Sequence, residues 1–186
     1  MGFFEKMLAA DVFVILDNVK YKKGNFQNRN RFLNSSDNEE WFTVPVEKKA
    51  TSKLIKDVKV SPDHRWRKKI VTKIMQNLKM NVSNIYDAES LLEINMNSIK
   101  WCMQRLGIET KLVMSSDLSV SGNKSELLAN IVRSVSGTQY VSGPSGRNYL
   151  EESYFDGISV SFLNPTVENH YSALYNIAIK QNEELK

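Results

Sequence analysis

An acidic residue set directly after a run of apolar residues puts a charge at a strand end. Asp17 follows Val12-Phe13-Val14-Ile15-Leu16 in this way. It is the strongest candidate in the chain for an acid–base or hydroxyl-orienting group, with Asn18 beside it; the competing reading is a structural cap on the strand end. A second concentration of chemistry is Gln27-Asn28-Arg29-Asn30-Arg31, close to Lys20, Lys22 and Lys23. Arginine forks suit carboxylate or phosphate, while Asn and Gln amides suit sugar hydroxyls or base edges. The bland counterpart is a polar loop bonding its own backbone. Tyr21, Phe26 and Trp41 interleave this basic stretch, as a stacking surface requires and as core residues also would.

Two further polar clusters close apolar segments: Ser115-Ser116-Asp117 and Ser142-Gly143-Pro144-Ser145-Gly146. The glycines of the second allow close backbone approach to a ligand, and its amides can cradle an anion. It also reads as an ordinary turn. Other chemistries find little footing. His64 and His170 lack companions at metal-ligand spacing, so no metal site is expected. The sequence has no GxxxxGK[ST] loop and no GxSxG elbow. Cys102 falls in a helical pattern with Ile99 and Met103, which suits core packing.

The elements that must position these groups follow from periodicity. Residues 3–10 predict a short helix and 12–16 a buried strand. A polar stretch runs through NRNRF, then 41–46 forms a strand that Pro45 assigns to an edge. The alternation in 55–60 predicts a half-exposed strand. Ser61-Pro62-Asp63 starts a helix reaching about Met80, and a longer one runs from about Glu89 to Leu106, stopping at Gly107. Strands at 111–114, 139–141 and 158–162 alternate with helices at 124–136 and 148–155. That order implies βαβ units: an α/β, mostly parallel sheet with helices on both faces, three layers in a single domain. Domain limits of 1–165 follow, with 166–186 as a C-terminal helical tail. If the strands ending at Asp17, Ser115 and Ser142 are neighbours, their polar clusters share one rim, where ligands of open α/β sheets gather.

Composition narrows the class. The chain has 186 residues, 41% hydrophobic and 25% charged, which suits one globular domain rather than a disordered segment. No apolar run approaches the ~20 residues that span a bilayer, and Glu5, Lys6 and Asp11 interrupt what a signal peptide would need. A single cysteine fits a reducing, cytoplasmic compartment. The net charge of +4 hides an asymmetry: residues 1–80 hold 17 basic and 9 acidic side chains, residues 81–186 hold 8 and 12. Such an excess marks a surface for phosphate-bearing ligands, or simply a set of solvated lysines. Its densest patch is Arg65-Trp66-Arg67-Lys68-Lys69, opening a helix with Ile70, Ile74 and Leu78 on its apolar side.

The block GFFEKMLAADVFVILDNVKYKKGNFQNRNRF resembles the WbqC-like protein family. WFTVPV, the tryptophan of HRWRKK, LGIETKLVMSSDL, Gly122-Asn123-Lys124-Ser125 and YVSGPSGRNYL follow in the family's order, to about Phe162. The resemblance implies a bacterial, cytoplasmic α/β protein, often encoded among genes for O-antigen and other surface polysaccharides. It implies a pathway rather than a reaction. Three departures are visible: the Q-P-x-[YF]-F-P-W-type motif and strand that precede G-[YF]-F in the family are absent, 76–91 is shorter, and HYSALYNIAIKQNEELK does not match the family's ending. The expectation is a chain lacking its first strand.

Residues and resemblance together lead to one principal expectation: an enzyme acting on a nucleotide-linked amino sugar in surface-polysaccharide biosynthesis, by group transfer. Asp17 is the catalytic candidate. Asn18, Tyr21, Asn28, Arg29, Asn30, Arg31, Ser115, Ser116, Lys124, Ser142, Gly143 and Tyr149 form the candidate substrate-binding set. No cofactor is assigned. The alternatives are a non-catalytic module binding RNA or a phosphorylated partner, and a truncated, inactive family member.

Overall fold

A computed structural model describes residues 2–167 and 169–184. It is a mixed α/β protein whose chain divides into two compact units, Met1–Asp17 with Ile108–Asn169 and Asn18–Gly107 with His170–Lys186. Strands associate in three hydrogen-bonded pairs, two of them parallel. The continuous sheet expected from strand order is therefore not formed by backbone hydrogen bonds among the described residues.

The first unit holds α1 (Gly2–Leu8), β1 (Val12–Ile15), β4 (Lys111–Met114), α4 (Lys124–Ser134), β5 (Gln139–Ser142) and β6 (Ser159–Phe162). β1 runs parallel to β4 with Ile15 opposite Met114; β5 runs parallel to β6 with Ser142 opposite Phe162. α1 turns Phe4 and Met7 inward, and Thr110 Oγ1 donates to the Met7 carbonyl at 2.7 Å. On α4, Ala129 and Val132 stand three residues apart and so share a face. They pack on Phe155 and Ile158 in a small core, where the Tyr140 ring stacks on Phe155 at 5.3 Å. The predicted helix at 148–155 is instead two short 3-10 turns, Pro144–Asn148 and Glu152–Phe155. Pro144 starts the first, and packing of Phe155 limits the second.

The second unit is built on the antiparallel hairpin of β2 (Arg29–Leu33) and β3 (Glu39–Thr43), with three helices: α2 (Arg65–Leu78), α3 (Leu91–Leu106) and α5 (Ala173–Glu184). Asn34 Oδ1 closes the hairpin loop by accepting from the Ser36 and Asn38 amides. α2 buries Trp66, Ile70, Ile74 and Leu78 at near-helical spacing. α3 begins at Ser90, whose hydroxyl accepts from the Glu93 amide at 3.1 Å. It ends at Gly107, whose φ of 63° closes the last turn onto the Met103 carbonyl. α5 contacts α2 and α3 and buries Leu174, Ile177 and Ala178. Cys102 is buried in α3, and burial pushes its thiol up to about 12, consistent with core packing.

Two sequence expectations shift here. Most of NRNRF lies in strand β2 (Arg29–Leu33), because alternation sends Phe32 and Asn30 to one face and both arginines to the other. Residues 55–60, expected as a strand, instead form a 3-10 turn at Ile55–Asp57 followed by single bridges at Lys59 and Val60. Ile55, Val58 and Val60 are all buried, so the apolar spacing of three and then two fits a turn better than a strand.

The turn after β5 supplies a test of packing. A Cβ on Gly146 would lie 2.1 Å from Ser142 Oγ and 3.1 Å from Leu150 Cδ1, whereas one on Gly143 meets nothing within 4 Å. Because Ser142 is itself buried, Gly146→Ala is expected to lower stability by about 1–3 kcal/mol in urea unfolding. Gly143→Ala should stay within about 0.5 kcal/mol of the wild type; equal effects would refute this packing.

Candidate functional site

The parallel register of β1 and β4 carries their two following residues onto each other, and Asp17 meets Ser115 and Ser116 there. Ser115 Oγ donates to Asp17 Oδ1 at 2.9 Å, the Ser116 amide donates to the same oxygen at 2.9 Å, and the Asp17 amide approaches Ser115 Oγ at 3.2 Å. Asp17 is 2% exposed and Ser115 fully buried, while Ser116 is exposed. Burial by itself would raise the Asp17 pKa. The hydrogen bonds from the Ser116 hydroxyl and amide and from Ser115 outweigh it, so the carboxyl is held below its ordinary value. At neutral pH this group is an ionised acceptor suited to fixing a hydroxyl or an amide, not a proton reservoir near pH 7.

In the second unit, the outer face of the hairpin gathers a different chemistry. Register pairs Arg31 with Trp41 and Leu33 with Glu39, so Arg29, Arg31, Trp41 and Glu39 share one face. The Arg29 guanidinium lies 4.5 Å from the Trp41 ring centroid and that of Arg31 5.3 Å. Phe26 stacks on Trp41 with centroids 5.9 Å apart and planes inclined 27°, and is itself 57% exposed. Glu39 joins the group, accepting from Arg31 Nη1 at 2.8 Å and from Trp41 Nε1 at 2.9 Å. Arg29 Nη2 donates to the Gly24 carbonyl. The Nε atoms of both arginines are enclosed and make no hydrogen bond among the described residues. Stacking on Trp41 replaces that bond with a cation–π contact.

The remaining candidates are distributed as follows. Asn28 Nδ2 donates to the Val44 carbonyl at 2.9 Å, and Asn30 Oδ1 accepts from the Arg31 amide at 3.0 Å; both asparagines serve the hairpin backbone. Tyr21 is 3% exposed, and its phenol is pushed up by burial, an effect Arg29 partly offsets. Asn18 is half-buried, and Lys124 is exposed at the head of α4 with a φ of 49°. Ser142 is buried at the end of β5, Gly143 accepts from the Gly146 amide at 3.0 Å, and Tyr149 is 56% exposed. The structure thus brings Asp17 together with Ser115 and Ser116, and Arg29 together with Arg31, while Ser142 and Gly143 belong to the separate β5–β6 pair. Glu39 was missed by sequence reasoning. The period-2 alternation of 29–33 against 39–43 was the signal that could have found it.

Among the described residues no helix is long and apolar enough to cross a membrane. The same residues contain no group of three or more His, Cys, Asp or Glu placed to hold a metal ion.

These features define a class: a mixed α/β protein with a buried, serine-held carboxylate in its first unit and, separately, an arginine-flanked aromatic surface in its second. The model of the WbqC-like protein family matches residues 1–177, and the chain belongs to that family. It is also similar to "Uncharacterized protein Rv1507c" of Mycobacterium tuberculosis, 31% identical over 175 residues, a match covering 86% of this chain and 74% of the relative. No solved structure matches the chain.

The Asp17 cluster has a pH signature. A carboxylate whose folded-state pKa is depressed contributes stability that is present above its unfolded value of about 3.9 and lost as pH falls through the lower folded value. Asp17→Asn is therefore expected to cost about 1–3 kcal/mol at neutral pH. That gap should close once the pH falls below the folded-state value, as measured by urea unfolding across pH; a gap independent of pH would contradict the geometry.

Proposed function

We propose that the chain is an enzyme of surface-polysaccharide biosynthesis that acts on a nucleotide-linked amino sugar. The observation that carries this reading is the pair of guanidinium groups on Trp41, with an exposed Phe26 ring stacked beside them. A nucleoside diphosphate needs a flat apolar surface for its base and forked donors for its phosphates, and this face offers both within one hairpin. Lys22 and Lys23, exposed in the preceding loop, add positive potential that favours an anionic ligand. Membership of the WbqC-like family supports the pathway through the surface-polysaccharide association that the resemblance implies.

The proposed reaction is group transfer to or from the sugar, in the cytoplasm, where nucleotide sugars would be met. The other candidate group is Asp17, at the end of β1 in the first unit. Because its carboxyl is held below the usual range, the role we assign it is that of an ionised group orienting a hydroxyl.

Calorimetric titration with a panel of nucleoside-diphosphate amino sugars tests the reading. Binding of at least one is expected, with Arg29→Ala or Trp41→Ala weakening it tenfold or more, equal to about 1.4 kcal/mol. Arg29→Lys, which keeps the charge and removes the fork, should also weaken it. The free sugar should not bind. If no member of the panel binds, or if all three variants bind like the wild type, the proposal fails.

A further inference from the structure

A second basic surface of the same unit takes no part in the hairpin face. Along α2, Arg65, Lys68, Lys69, Thr72, Lys73 and Gln76 line an open trough of about 740 Å³ together with Glu40 of β3. From Arg65 to Gln76 the helix rises about 16 Å, so the trough is elongated. Lys68 and Lys69 are exposed and form no ion pair among the described residues. Arg65 pairs with Asp63 at 2.7 Å and Lys73 with Glu40 at 2.8 Å. The Arg65–Asp63 pair is exposed, and such pairs contribute little, so Arg65 can turn to a stronger anion. The Glu40–Lys73 pair also cancels the one carboxylate in the lining, which would otherwise repel a phosphate.

We propose that this trough binds the phosphate backbone of a single-stranded nucleic acid. The residues that line it are of charged or polar type, with no aromatic or aliphatic residue among them, and it is open to solvent, whereas pockets for small molecules are enclosed. Hydroxyl and amide groups (Thr72, Gln76) interleave the cations, and these are the residue types that hold phosphate and sugar oxygens in protein–nucleic acid contacts. A lipid surface fits less well. An interfacial helix buries its apolar side in the acyl boundary, but on α2 that side, Trp66, Ile70, Ile74 and Leu78, is already buried in the protein. A shallow, open strip suits a flexible strand better than a duplex, whose major groove admits a projecting helix instead.

The test uses the full chain and a fluorescein-labelled oligouridylate of about twelve nucleotides, followed by anisotropy across a salt series. Binding is expected to weaken with salt, log K against log[salt] having a slope of at least about −1.4 in magnitude if two phosphates are neutralised. The double variant Lys68→Gln/Lys69→Gln should lose tenfold or more in affinity and flatten that slope. Lys48→Gln/Lys56→Gln removes the same charge from exposed positions of the same unit and should change affinity less than about twofold. Thermal melting of each variant establishes that it folds. The proposal is overturned if the two double variants weaken binding equally or if oligouridylate does not bind. It is equally overturned if poly-glutamate competes as well as unlabelled oligouridylate. Binding to phosphatidylglycerol vesicles in place of the oligonucleotide would assign the trough to a membrane and also sink it.

Discussion

A two-stranded ribbon has two faces and can bury only one of them against a single helical layer. In this protein that constraint falls on β2 and β3, and much of the second unit follows from it. Phe32, fully buried, commits one face to the core with Phe42. Every residue on the opposite face must then tolerate water, and Arg29, Arg31, Trp41 and Glu39 form a compact group that does. Trp41 keeps its ring under the two guanidinium groups, and its indole N–H reaches Glu39. The same alternation that builds the core therefore builds the surface with the richest recognition chemistry. Lys73 ties the ribbon to α2 from the other side, reaching the Trp41 carbonyl and the Glu40 carboxylate.

Long periodic segments were legible in the sequence, and groups placed by pairing were not. α2 and α3 could be read from apolar spacing and from Gly107, because a helix declares itself within its own residues. The β1 and β4 runs could be read for a similar reason. What escaped was the first strand of the hairpin, since five consecutive polar residues (Gln27 to Arg31) outweigh Phe32 when strand character is judged from hydrophobicity alone. Residues 55–60 failed in the opposite direction: buried residues at uneven spacing imitate alternation. The role of Glu39 was not legible without register, because its partners Arg31 and Trp41 are neighbours only across the hairpin.

Asp17 illustrates how far residue type can carry an argument about chemistry. An acid after an apolar strand was recognisable as special, and its place at the strand end was correctly read. Its protonation behaviour depends on Ser115 and Ser116, about a hundred positions away in the chain. Burial and hydrogen bonding pull its pKa in opposite directions, and here the bonds prevail. Nothing local to residues 12–18 reveals that balance.

The path of the chain between the two units has a consequence for how the molecule reaches this state. The second unit takes residues 18–107 in one stretch, whereas the first joins Met1–Asp17 to Ile108–Asn169. Val12 must therefore find Lys111 across a loop of nearly a hundred residues before the β1–β4 ladder can form. Closing a flexible loop of that length carries an entropic cost of about 4 kcal/mol. Local contacts in the hairpin and the helices form without that cost, and rates favour contacts close in sequence. Order in the middle of the chain shortens the effective tether between the segments that flank it. The acid at the end of β1 thus acquires its serines late, and a nascent chain acquires them only after residue 116 has left the ribosome.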